Sequence, residues 1–152
     1  MRHVAVLLGA LAACSPSATP PPVPSGPVRV IEAGPGDVAP LVIAAAADAA
    51  RDHRQLIVYV GAVWCEPCLA FHDAAERGEL DRSLPGLTLL AFDLDLDEDR
   101  LAAAGYRSKM IPLFAVPGPD GRATDRATSG ARKGGDYVGE LVPRLQALLA
   151  AP

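Results

Sequence analysis

The chain has 152 residues, half of them apolar, which suits one domain with its own core. A net charge of −4 gives no basic surface, so nucleic acid is excluded as an expected partner. Three cysteines are an odd number, so at least one acts outside a single intrachain disulfide.

The N-terminus accounts for that extra cysteine. Met1-Arg2-His3 is a short basic segment, and Val4 to Ala13 is an apolar run too short to span a bilayer as a helix. Residues 1–13 therefore read as a signal peptide. The run ends Leu11-Ala12-Ala13-Cys14, which resembles the lipobox of bacterial lipoproteins, with Cys14 as the lipidated residue. An ordinary signal peptide with a chance cysteine is the plainer alternative. Ser15 to Pro27 holds six prolines in thirteen residues, a composition that favours extended polyproline II over a packed core. Residues 14–27 read as a tether, or as a proline-rich ligand for another domain, and the folded domain is expected over 28–152.

Within that domain Val28–Ile31 fits a short strand. Asp37 is placed to cap a helix running from Val38 to about Arg54, with apolar residues at 38, 41, 42, 45, 46 and 49. Leu56-Ile57-Val58-Tyr59-Val60 is a continuous apolar run, as a central strand buried on both faces requires. Trp64-Cys65-Glu66-Pro67-Cys68 follows it and opens a helix that reaches about Arg77. A thiol at a helix N-terminus meets unpaired N–H groups and the positive end of the dipole, which favours its thiolate. The second thiol lies one turn inside and can close a small disulfide ring, so the pair suits dithiol–disulfide cycling. Glu66 between them raises the thiolate pKa and makes the disulfide less oxidising. A half zinc site with His72 as a third ligand is the alternative, but there is no second such pair. His72 otherwise reads as an ordinary helix residue or one that tunes Cys68.

Leu80 to Gly86 reads as a loop and Leu87 to Leu96 as the next strand. Its tail, Asp93 to Asp99, turns acidic; it lacks the glycine of a calcium loop and has Ala104 where a bidentate glutamate would fall, so no metal is expected. A short helix from about Glu98 to Ala104 is expected, stopped by Gly105. Leu113–Val116 is a strand, Pro117–Gly121 a turn, and Arg122–Ser129 an antiparallel return. Asp136 caps a last amphipathic helix that contains Pro143, where a kink or a separate first turn is expected.

The order βαβα, then β-α-β-β-α, implies an α/β fold: a central mixed sheet with helices on both faces. Over about residues 28–150 the chain resembles thioredoxin. The resemblance rests on the Trp-Cys-x-Pro-Cys segment after a buried strand, the Asp-x-Asp strand end, Tyr106 leading to Ile111-Pro112, and the Asp120-Gly121 hairpin before a terminal helix. It implies that Pro112 is cis beside the dithiol and that Ile111 offers its backbone to substrate. It also implies that Cys65 is the nucleophile, Cys68 the resolving thiol, and Trp64 a shield and docking residue. Two departures stand out: Tyr59 occupies the position of the family's buried Asp, and Ala91 that of its neighbouring Lys. Glu66 then becomes a substitute proton acceptor, or simply a solvated acid. The resemblance implies a protein-disulfide reductase without cofactor. Its partners are disulfide-containing or thiol proteins and an upstream electron-donor protein. It is expected as a monomer, lipid-anchored to a bacterial membrane and facing the periplasm. Arg107 and Lys109 precede Pro112 and read as simply solvated residues, with steering of acidic substrates as the alternative. The Cys-Glu-Pro-Cys tetrapeptide also resembles membrane-anchored reductants of cytochrome c maturation. A further alternative is a non-catalytic thioredoxin-fold binding module with a structural disulfide.

Overall fold

The computed structural model describes residues 23–151. The expected signal segment, Cys14 and the tether up to residue 22 lie outside the described residues. Nine elements follow in order: β1 (Arg29–Glu32), α1 (Val38–Arg51), β2 (Gln55–Gly61), α2 (Glu66–Glu76), β3 (Leu87–Asp93), α3 (Leu94–Ala103), β4 (Leu113–Pro117), β5 (Ala123–Ser129) and α4 (Tyr137–Ala150). The strands form one mixed sheet in the order β1-β3-β2-β4-β5. β1 and β2 run parallel to β3, β4 runs antiparallel to β2, and β5 returns antiparallel to β4.

β2 is central, so both of its faces are buried and its apolar run needs no polar alternation. Val58 and Val60 point to one face, where they join Val38 and Val42 of α1, Leu101 of α3, and Leu90 and Phe92. Ile57 and Tyr59 point to the other, where they meet Phe71 of α2, Leu141 and Leu145 of α4, and Phe114. The dithiol belongs to this second core. Phe71, Phe114 and Tyr59 form an aromatic cluster beneath it, with ring centroids 4.9–6.2 Å apart.

Five local features differ from expectation. α3 begins at Leu94, so β3 ends at Asp93 rather than Leu96. The cause is side-chain capping: Asp93 accepts from the Asp95 and Leu96 amides, and Asp97 accepts from the Asp93 amide. The acidic run thus folds as a reciprocal helix cap. α1 ends at Arg51, and Arg54 turns inward, where it is buried. Asp37 sits at the start of α1 but makes no side-chain cap bond. The domain also takes hold before Val28: Gly26 O accepts from the Gly86 amide, and Pro27 O from the Arg54 guanidinium. Asp136 does cap α4 through the Gly139 amide, and α4 continues as one helix through Pro143. Among the described residues no helix is long and apolar enough to cross a membrane.

Candidate active site

β2 ends at Gly61, and the chain turns through Ala62-Val63-Trp64 into α2. Cys65 is the N-cap of α2, and its sulfur accepts from the Cys68 amide at 3.3 Å. Pro67 lies in the first turn, where a missing N–H costs no helical bond. Cys65 and Cys68 are joined as a disulfide, with Cα atoms 5.1 Å apart. Both are almost fully buried, at 5% and 3% exposure. The amide aimed at the Cys65 sulfur is a donor that favours the thiolate once the bond is reduced.

The two sulfur-bearing residues border different spaces. Cys65 lines a front groove of about 500 Å³ together with Trp64, Glu66, Pro67, Lys109, Met110 and Ile111. Cys68 lines a rear cavity of about 240 Å³ between α2 and the sheet, together with Glu32, Tyr59, His72, Ala91 and Asp93. Glu66 therefore sits on the groove side with Cys65, whereas Cys68 opens on the rear.

The Ile111–Pro112 peptide is cis, as the resemblance implies. Pro112 is buried, and its carbonyl accepts from the Gly130 amide, which ties the cis segment to the end of β5. Ile111 remains half-buried at the groove. Trp64 is 62% exposed, and its indole N–H donates to Asp95 Oδ2 at 2.7 Å. Lys109 and Lys133 both line the groove, while Arg107 does not.

Tyr59 and Ala91 are register partners on β2 and β3, so the two departures from the family pattern are physical neighbours. The Tyr59 hydroxyl donates to the Cys68 carbonyl at 3.4 Å. Burial pushes the Tyr59 phenol well above its ordinary range, and the Glu32 charge adds a smaller push. It is thus a neutral donor at physiological pH. Glu32, Asp95, Lys133 and Tyr137 border the site but carry no signal in the sequence. Asp95 and Glu32 arrive there through capping and strand register, which only the folded chain defines.

A disulfide at the N-terminus of α2, a cis Ile111–Pro112 bond whose Ile111 lines the same groove and this strand order together define a thioredoxin-like protein with a thioredoxin-like fold. The chain is similar to Thioredoxin-2 of Pyricularia oryzae (strain 70-15), with 30% identity over 104 residues, 68% of this chain and 52% of that protein. It thus spans about half the length of this curated relative. Among solved structures it is similar to a poplar wild-type thioredoxin h, with 26% identity and a TM-score of 0.48 over 84% of this chain and 100% of the other. No family model matches the chain.

Proposed function

We propose that the protein is an extracytoplasmic thiol–disulfide oxidoreductase that reduces protein disulfides through Cys65 and Cys68. The observation that carries this reading is the disulfide closed across the first turn of α2, with Cys65 facing an open groove rimmed by exposed Trp64 and Met110. In the reduced protein the Cys65 thiolate attacks a substrate disulfide, forming a mixed disulfide and releasing one substrate thiolate. The Cys68 thiolate then attacks Cys65, closes the Cys65–Cys68 bond and releases the second substrate thiolate. Two electrons pass to the substrate, and a separate dithiol protein restores them.

Reduction of insulin by the chain with dithiothreitol as donor tests this. Turnover that disappears in Cys65→Ser supports it. No turnover above the uncatalysed rate favours the non-catalytic binding module, a reading motivated by the neutral Tyr59 behind Cys68. The reduction potential of the pair gives the direction. A value near about −270 mV marks a reductant, and roughly −180 to −120 mV an isomerase or oxidant. The location is proposed from residues 1–14 alone: lipid on Cys14 holds the domain at a bacterial membrane, facing the periplasm. Cys14→Ala should move the protein from the membrane to the soluble fraction, and continued lipid attachment would refute the anchor.

A further inference from the structure

Cys68 must lose its proton before it can attack Cys65, yet its side chain is 3% exposed and faces away from the groove. The proton has to leave through the rear cavity. That cavity exists because the row of residues beneath Cys68 is thin at its centre. Glu32 on β1 pairs with Ala91 on β3, and Ala91 pairs with Tyr59 on β2, so the three side chains share one face of the sheet. Ala91 fills little of that row, and the space above it has room for several water molecules. His72 lies one helical turn beyond Cys68 on α2 and lines the same space. Its Nε2 lies 3.8 Å from Glu32 Oε1, and its Nδ1 lies 3.5 Å from Glu76 Oε1.

We propose that His72, flanked by Glu32 and Glu76, is the proton acceptor for Cys68 in the resolving step. The proposal rests on the dithiol chemistry proposed above. With substrate bound to Cys65, the Cys68 S–H gives its proton through cavity water to the His72 imidazole. The Cys68 sulfur forms a bond to Cys65, and the Cys65–substrate S–S bond breaks. The substrate leaves as a thiolate, and no further oxidant or reductant takes part. The groups that face this assembly are Glu32 from β1, Tyr59 from β2, Asp93 from β3, and Asp73 and Glu76 from α2. The Tyr59 hydroxyl is already given to the Cys68 carbonyl, and Asp93 caps α3. Asp73 and Glu76 do not line the cavity on which Cys68 opens, so His72 and Glu32 are left as the pair poised to act.

The test is a two-phase reaction of the reduced full chain, carrying Cys14→Ser, with one equivalent of dithionitrobenzoate. The first release of thionitrobenzoate reports attack by Cys65. The second reports closure by Cys68. His72→Gln should leave the first phase unchanged, slow the second on the order of tenfold at neutral pH, and move its pH midpoint upward by about one unit. Glu32→Gln should slow the second phase less, in the same direction. A wild-type pH profile for His72→Gln would overturn the proposal, because the proton would then pass to bulk water unaided. Faster closure in Glu32→Gln would also overturn it, since the carboxylate would then merely repel the thiolate. The His72 side chain is about one-third exposed, so its replacement should fold; if it does not, Glu32→Gln alone decides by its sign. A wild-type chain that closes its disulfide but reduces no insulin would sink the functional reading and leave the relay standing.

Discussion

The Tyr59 ring lies over Gly61, two residues further along the same face of β2. A methyl group on Gly61 would sit 2.6 Å from the Tyr59 hydroxyl oxygen and 3.0 Å from the ring carbon that bears it. Gly61 is therefore small for reasons of space. It lets the phenol lie along the strand and reach the Cys68 carbonyl.

Gly61→Ala should cost about 1–3 kcal/mol, the usual range for overpacking a filled site. The variant Gly61→Ala/Tyr59→Phe should recover part of that loss. Removing the hydroxyl relieves the 2.6 Å approach and leaves the one at 3.0 Å. Urea denaturation of the two single variants and the double measures the coupling. Strict additivity would mean that the ring moves away freely when Gly61 is replaced.

Tyr59 also sets an alkaline limit. Burial raises its phenol first, with Glu32 second; Tyr106 is raised by burial and then by Asp120. A tyrosine whose folded pKa exceeds its unfolded value of about 10 contributes stability that is fully present below that value. The stability is lost as pH rises toward the folded value. Above pH 10 each tyrosine should therefore add a limiting slope of about 1.4 kcal/mol per pH unit. Unfolding of the oxidised protein from pH 9 to 11 should fall less steeply in Tyr59→Phe than in the wild type. Equal slopes would show that the phenol ionises in place. At neutral pH the same variant should lose less than about 1 kcal/mol, since its one bond is long.

The element order, the sheet class and the dithiol's place on α2 were legible because they depend on local pattern. Apolar run, turn residue and helical spacing each act over a few positions, and their sum leaves one topology. The earlier start of α3 has the same local origin: the Asp93 carboxylate accepts from the Asp95 and Leu96 amides and the Asp97 carboxylate from the Asp93 amide, but alternation with Leu94 and Leu96 imitates a strand. The rear cavity was not legible. It depends on Glu32 pairing with Ala91, a strand register that only long-range packing sets. Arg54 was hidden for a similar reason, because helical spacing through Ala49 says nothing about where the chain turns next.

Trp64 is the chain's single tryptophan, so its fluorescence reports the groove directly. Its indole N–H is held by Asp95 Oδ2, which joins the dithiol turn to the first turn of α3. Asp95→Ala frees the ring. Because the bond is exposed, the stability loss should stay within about 1 kcal/mol. The emission anisotropy should fall, and the rate of insulin reduction should drop a few-fold through a weaker docking surface. Unchanged anisotropy would mean that packing alone holds the ring.

Arg54 fastens the N-terminal segment to the sheet. The residue is buried, at 8% exposure, and its guanidinium has no carboxylate partner among the described residues. Instead Nε donates to Thr88 Oγ1, and the terminal nitrogens donate to the carbonyls of Leu87, Pro27 and Ser25. Arg54→Met keeps much of the apolar stem but leaves the Leu87 carbonyl and Thr88 hydroxyl buried without this donor. Each lost partner costs about 1–3 kcal/mol, so a total near 3 kcal/mol is expected. Arg54→Lys should recover only part, because a point charge cannot span four acceptors as a planar fork does. In urea the midpoint should fall with an unchanged slope. Residues 23–27 should also become cleavable by a protease at conditions where the domain stays folded. A midpoint within about 0.5 kcal/mol of the wild type would mean that water replaces the guanidinium at these carbonyls, and that the Gly86–Gly26 and Val28–Asp81 bonds suffice to hold the N-terminal segment.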